Sequence, residues 1–327
     1  MAAAITASRA GMRVVVADGD RPPIDKPCGE GLMPDSRRLA ARLGMEIPES
    51  IGYEFRGIRF HGSGLSVTAD FSEGCGVGVR RTTLHRALLQ AAERAGAEFR
   101  WQTPVTGLDA SAELRSARWI IGADGGSSLV RRWAGLDAVA SRSRRYAYRQ
   151  HFAVPPWTPY MEIYWADGCQ IYVTPVDAGE VCVALVSRTQ GLRLEEALDR
   201  FFPVLRARLP AGSEASRERG AVTGNVSLRA VVRENVALIG DASGSVDAIA
   251  GEGICLGFRQ AEILAKALAN NDLASYSRAH PRLAMRSHLV AGTMLQFDRG
   301  RLARTLAMRV LSAQPWIFRN LLRVHVA

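Results

Sequence analysis

Lysine is almost missing from this chain. Only Lys26 and Lys266 stand among its 42 basic residues, and the rest are arginine, as codon bias in a GC-rich genome would produce. The net charge of +10 could suit nucleic acid or an anionic surface. The arginines are dispersed, however, and form no basic stripe, so no nucleic-acid partner is expected. An anionic substrate or a membrane surface fits the charge better. Cysteine is sparse too. Cys28, Cys75, Cys169, Cys182 and Cys255 are scattered, odd in number and without Cys-x-x-Cys spacing. That argues against a disulfide framework and against a zinc site, so no metal is expected and a reducing compartment is. No apolar run approaches the roughly 18 residues a spanning helix needs. No charged lead precedes the apolar residues of the N-terminus, as a signal peptide requires. The expectation is a cytoplasmic protein. At 47% hydrophobic over 327 residues, the chain can bury a proper core in one large or two medium domains.

What is present centres on one stretch, Asn235-Val-Ala-Leu-Ile-Gly-Asp-Ala-Ser-Gly-Ser-Val-Asp-Ala-Ile-Ala-Gly-Glu-Gly-Ile254. Residues 236–239 are an apolar run of strand length. Gly240-Asp241 follows at once, and a glycine-rich loop ends at Gly251-Glu252-Gly253. Ile254, Phe258, Ala261, Leu264 and Leu268 then recur at helical spacing. Glycines let backbone approach a ligand, and a helix start offers free N–H groups with a positive dipole end. The combination makes a site for a phosphate- or hydroxyl-bearing ligand. The plain alternative is an ordinary strand-to-helix connection with a surface aspartate.

Around it, the N-terminal residues are Ala-rich and helix-compatible, and residues 13–18 read as a buried strand ending at Asp18. A helix followed by a strand with a terminal acid is the second half of a dinucleotide-binding unit, in which the acid holds ribose hydroxyls. The first half, a strand with G-x-G-x-x-G, does not precede it. Lys26-Pro-Cys-Gly-Glu-Gly-Leu-Met-Pro34 can wrap backbone against a flat ligand, or simply turn. Residues 35–43 read as helix. Residues 51–71 read as strands around a His61-Gly-Ser-Gly64 turn, and residues 77–80 as a short strand. Residues 82–96 form an amphipathic helix with Arg81 just before it. Residues 99–103 and 105–108 suggest a strand. Trp119-Ile-Ile-Gly-Ala-Asp-Gly-Gly126 is another strand delivering an acid and glycines, followed by a short helix. From Tyr146 the period becomes two, predicting antiparallel strands over 146–154, 160–165, 170–175 and 180–187. Their dense aromatics, Tyr164, Trp165 and Tyr172 among them, suit either a wall for an apolar substrate or plain core. Residues 194–209 read as one helix, and 222–232 as strand. Residues 272–327 are helical and Arg-rich, suiting a membrane surface, a cover for the substrate cavity, or a solvated face packed on the body.

Asp18, Arg81, Ala123-Asp124-Gly125 and Gly240-Asp241 with Gly251-Glu-Gly-Ile254 occur in the order that resembles the FAD-dependent group of aromatic-ring hydroxylases, flavin halogenases and geranylgeranyl reductases. The resemblance covers about residues 1–268. Leu238-Ile-Gly-Asp-Ala242 carries it most specifically, and Lys26-Pro-Cys-Gly-Glu-Gly-Leu32 looks like the reductase and halogenase-like branch. The resemblance implies FAD as cofactor and NAD(P)H as reductant. It implies that Asp18 holds the adenosine ribose, that Cys28, Gly29 and Gly31 line the flavin, and that Arg81 reaches the pyrophosphate or ribityl chain. Val105 would touch the adenine through its backbone, and Asp124 and Gly125 would serve FAD and the passing nicotinamide. Gly240-Asp241 would serve the ribityl chain, with Gly251, Gly253 and Ile254 setting a helix start at the pyrimidine side. Two features depart from the family. The dinucleotide glycine loop is missing, with Met1 standing where the residue after its last glycine would be. The reductase branch's Tyr-x-Trp-x-Phe-Pro strand reads here as Gln170-Ile-Tyr-Val-Thr-Pro175, matching at the proline alone.

The fold expected is α/β: a Rossmann-like FAD-binding domain, incomplete at its N-terminus, with an antiparallel β-sheet substrate domain and a C-terminal helical segment. The boundaries are 1–50, 77–140 and 220–270 for the first, 51–76 and 141–219 for the second, and 271–327 for the helices. No His, Ser or Lys stands out as a catalytic base, which suits chemistry carried by a cofactor. The favoured reading is an NAD(P)H-dependent monooxygenase acting on an apolar or aromatic small molecule. A flavin reductase of a lipid or isoprenoid double bond, with Cys28 or a water as proton source, is the second. A remnant that binds no flavin is the third. An in-frame strand and glycine loop of roughly a dozen residues upstream of the start would favour the enzyme readings.

Overall fold

The computed structural model describes residues 1–45, 47, 51–137, 139–142 and 144–326. Helix α1 (Ala2–Arg9) leads through a left-handed glycine, Gly11 at φ +81°, into strand β1 (Val15–Asp18). A glycine takes that conformation without a Cβ penalty. Next come β2 (Gly31–Leu32), α2 (Pro34–Arg42), β3 (Tyr53–Phe55), β4 (Gly57–Gly62), β5 (Leu65–Asp70), β6 (Gly76–Gly78), α3 (Arg81–Arg94) and β7 (Glu98–Trp101). Then follow α4 (Ala112–Ser116), β8 (Ile120–Gly122), α5 (Leu129–Trp133), β9 (Val139–Arg142), β10 (Arg145–Phe152), β11 (Met161–Ala166), β12 (Cys169–Asp177) and β13 (Glu180–Ser187). The rest is α6 (Leu194–Phe201), α7 (Pro203–Arg206), β14 (Arg219–Thr223), β15 (Val226–Leu228), β16 (Val232–Arg233), β17 (Val236–Leu238), α8 (Gly253–Ala269), α9 (Leu273–Arg299), α10 (Arg301–Ala313) and α11 (Pro315–Val326).

Strands of five to nine residues build a seven-stranded sheet in the order β14-β10-β13-β12-β11-β4-β5. It is antiparallel except where β11 runs parallel to β4, because β4 enters from a distant part of the chain. Its two faces bury different partners. Val173, Val183 and Leu185 pack with Leu194, Leu198 and Leu205 of α6 and α7. Phe60, Ile163, Trp165 and Tyr172 pack with Met308, Leu311, Phe318 and Leu322 of the C-terminal helices.

The Rossmann-like part is made of parallel pairs. β1 runs beside β7, and β8 beside β17, with β16 antiparallel on the far side of β17. Among the described residues no ladder joins the two groups. α1 bridges them instead: Ala4 and Ile5 pack with α3, while Ala7 packs with Val236, Ala237 and Leu238.

Four local expectations are corrected. β3 belongs with β6 and β2 in a small sheet, apart from the seven-stranded one. The helix expected over 194–209 breaks at Phe202 (φ −131°, ψ 51°), because Pro203 lacks an N–H and disfavours helical backbone before it. Residues 105–108 form no strand: Gln102 takes φ +55° and Pro104 removes a donor, so the chain leaves the sheet after Trp101. The strand expected over 222–232 is three short pieces, interrupted at Gly224 with φ +152°. Ala327, in the expected C-terminal helix, lies outside the described residues.

Candidate functional site

The Gly240-Asp241 turn leaves the buried end of β17 with Gly240 at φ +62°. Its N–H donates to Gln260 Oε1 at 2.7 Å. That bond fixes the Gln260 amide, so its NH2 group donates to Ser243 Oγ at 3.3 Å and to His280 Nε2 at 3.1 Å. His280 Nε2 also sits 2.9 Å from Ser243 Oγ. The Ser243 hydroxyl proton goes to the Gly240 carbonyl at 2.8 Å, so the Gln260 amide is the donor facing that ring nitrogen, and burial lowers the His280 pKa to about 4. The turn is thus held from behind by α8 and α9, and Asp241 is presented outward. By surface area Asp241 is exposed, yet it is recessed among protein atoms. That desolvation raises its pKa above the usual carboxylate value, and the charge of Lys26 acts in the opposite sense.

Lys26 belongs to the segment that carries Cys28, Gly29 and Gly31. Glu30, between those glycines, holds φ +60° and is 3% exposed. Its carboxylate accepts from His151 Nε2 at 2.7 Å and from the backbone N–H of Arg81 at 2.9 Å, which caps α3. Arg149 Nε lies 3.8 Å away, and Arg149 also pairs with Asp25. Gly29 is fixed by Thr174 Oγ1, 2.7 Å from its carbonyl. Cys28 Sγ accepts from Glu30 N–H at 3.3 Å. Burial pushes the Cys28 thiol pKa up, while the Arg81 charge pulls it down. Glu30, His151 and Cys182 bring donor atoms within 4.8 Å of one another. With a guanidinium beside the carboxylate and both its oxygens engaged, this is a hydrogen-bonded hub in geometry.

Arg81 is the first residue of α3, so it stands one turn from His85. Burial first, then the Arg81 charge, lower the His85 pKa to about 4; Asp18 and Lys26 act on the same ring. The charges of Asp18, Lys26 and Arg81 all act on His85, and that of Lys26 acts on Asp241 as well. Asp124 caps a helix. Its carboxylate takes the backbone N–H groups of Leu129 (2.7 Å) and Val130 (3.2 Å) and the hydroxyl of Ser128, capping α5. Gly125 beside it stays open. Val105 is half-buried in the loop after β7.

Gly31, Gly76 and Gly78 are filled by neighbouring atoms, so they serve packing. At Gly29, Gly125, Gly240, Gly251 and Gly253 a Cβ would meet nothing within 4 Å. Gly251 has φ +66°, and Gly253 opens the 17-residue α8, with Ile254 half-buried behind it. This is backbone facing open space beside a helix N-terminus.

The sheet aromatics divide. Tyr172 donates to the carbonyl of Ile249 at 2.8 Å, which ties the sheet to the loop before Gly251. Trp165 packs on Phe60 and Phe297 under the C-terminal helices. Tyr164 points to the opposite face, where its hydroxyl donates to Glu162 at 2.9 Å and its ring meets Phe202. Side chains alternate across a strand, so adjacent Tyr164 and Trp165 cannot line one wall. Gln260, His280, Glu30 and His151 were not singled out in the sequence; the fold alone brings them together.

The family model for FAD dependent oxidoreductases matches residues 64–270. Menaquinone reductase of Mycobacterium tuberculosis is 28% identical over 317 residues, covering 84% of this chain and 74% of that protein. Digeranylgeranylglycerophospholipid reductase of Thermoplasma volcanium is 28% identical over 310 residues, covering 83% and 76%. The structure of the flavin-dependent brominase Bmp2 shares the fold, with a TM-score of 0.84 at 14% identity over 99% of this chain and 90% of that one.

Proposed function

Because the chain belongs to the FAD-dependent oxidoreductases, we propose that it reduces a carbon–carbon double bond in the polyprenyl chain of a lipid. One observation carries the substrate class. Two curated relatives that align over more than four-fifths of the chain are named for menaquinone and for a digeranylgeranyl phospholipid. The chemical feature those molecules share is a polyprenyl chain.

The residues present fit FAD. Gly29, Gly240, Gly251 and Gly253 leave backbone open to a flat or phosphorylated ligand. Arg81 and Lys26 bring positive charge to the same region as the Asp18 and Asp241 carboxylates. Bound there, FAD supplies the hydride. The α8 N-terminus, with no side-chain cap, offers N–H groups to developing negative charge. Burial keeps the Cys28 thiol protonated at neutral pH, and the Glu30 N–H orients its sulfur. In this reading that thiol gives the proton from Sγ. Cys28→Ala then lowers turnover by on the order of a hundredfold or more without loosening FAD. Unchanged turnover removes Cys28 from the reaction. NAD(P)H is the proposed electron donor, read as bleaching of the flavin absorbance on mixing with NADH or NADPH.

The monooxygenase reading keeps one observation in its favour: Gln170-Ile-Tyr-Val-Thr-Pro175 stands where reductases carry an aromatic strand. Reduced, FAD-loaded protein incubated without oxygen with a geranylgeranyl lipid separates the two. A mass gain of two hydrogens in the lipid supports reduction. Lipid left intact, together with substrate-dependent O2 consumption in air, overturns it for oxygenation.

A further inference from the structure

α10 and α11 form an outer layer with an unusual surface. On α10, Leu302, Leu306 and Val310 recur every fourth residue and are 87%, 66% and 41% exposed. The opposite stripe, Arg304, Met308 and Leu311, is buried. On α11, Trp316, Leu321 and Val324 are 58%, 48% and 59% exposed, while Phe318 and Leu322 are buried. Both helices pack on β5, so their outer faces point the same way, off the sheet. A soluble monomer scatters exposed apolar side chains singly; an aligned stripe marks a surface that meets a partner.

The charge on this layer has one sign. Residues 299–327 contain no Asp or Glu. Arg301, Arg309 and Arg323 are exposed. The nearby carboxylates are engaged: Asp167 by Arg304, Asp298 by Arg145 at 2.9 Å and by Arg188, and Asp70 by Tyr160 at 2.7 Å. A second copy docking through the same face would set arginine against arginine, which disfavours self-association there. An anionic leaflet instead offers acyl chains to the leucines and headgroup charge to the arginines, with Trp316 at the depth that indoles favour.

We infer that α10 and α11 seat this protein on an anionic bilayer, lying in the headgroup layer without crossing it. No helix among the described residues is long and apolar enough to cross. The inference goes beyond the redox reading and does not depend on turnover.

Sedimentation with phosphatidylcholine vesicles, with and without phosphatidylglycerol, tests it on the purified whole chain. The expected result is binding to the phosphatidylglycerol vesicles that weakens with salt. Replacing Leu302→Ser with Leu306→Ser should reduce partition on the order of tenfold or more at unchanged Tm. Replacing Arg309→Glu with Arg323→Glu should lower binding to the anionic vesicles selectively. Lipids brominated in the acyl chain should quench the tryptophan emission less in Trp316→Phe than in the parent. Absent binding to phosphatidylglycerol vesicles, equal binding by the serine variant, or a dimer that the serine variant dissociates would each overturn the inference.

Discussion

Asp241 and Cys28 were legible from the sequence because each sits in a local signature, a strand tip before glycines and a cysteine between Pro27 and Gly29. Glu30 was visible only as the acid between two glycines. Its role comes from His151 and Arg81, which lie 121 and 51 residues away in sequence. Gln260 and His280 were silent for the same reason: hydrogen bonds between distant side chains leave no periodic trace. The Cys28 thiol gives the residue-scale prediction. Burial raises its pKa, so the reactive thiolate is scarce at neutral pH. Iodoacetamide should alkylate Cys28 several-fold more slowly than a free thiol at pH 8, with the rate still rising above pH 9. Measurement is by mass spectrometry of the peptide carrying Cys28. Rates matching free thiol would mean the sulfur is neither buried nor protonated as described.

At the scale of the element, periodicity located the long helices and the antiparallel strands, since hydrophobic spacing is a local property. It failed where a single backbone constraint decides. Pro203 splits one apparent helix, and Pro104 with Gln102 removes one apparent strand. Alternation along β11 also could not say which face meets the cofactor domain, so Tyr164 and Trp165 read alike, as substrate wall or as core. Asp124 shows a strand-end acid that also caps α5, a role its motif did not announce. Asp124→Ala strips two backbone N–H groups of their acceptor and should cost about 1–2 kcal/mol of stability. Thermal unfolding reads this. A cost near zero would mean the cap is dispensable.

For the whole molecule, the sequence order of motifs predicted a cofactor domain joined to a large sheet, and the fold agrees. The split of the parallel strands into β1–β7 and β16–β17–β8 was not read from the motifs, because strand neighbours are a tertiary property. The joint between α8, α9 and the Gly240 turn carries a pH dependence. His280 is neutral in the fold with its pKa lowered to about 4, against an ordinary value of 6.5. Its contribution is therefore complete above pH 6.5 and is lost as pH falls from 6.5 through about 4. The loss amounts to about 3 kcal/mol. His85 titrates in the same direction. Tm should fall across that window, and His280→Gln should flatten the fall; an unchanged slope would contradict the assignment.

The redox reading rests on FAD binding at the open backbone around Gly253 and Asp241. Titrating FAD into the purified chain while following flavin fluorescence tests it most directly, with Gly253→Val alongside. A Cβ at Gly253 meets no protein atom, so the variant should fold with unchanged Tm. Saturable binding by the parent is expected, with affinity on the order of tenfold or more weaker in the variant, as its side chain occupies the ligand's space. FAD that fails to saturate the parent, or binds the variant equally well, would contradict it.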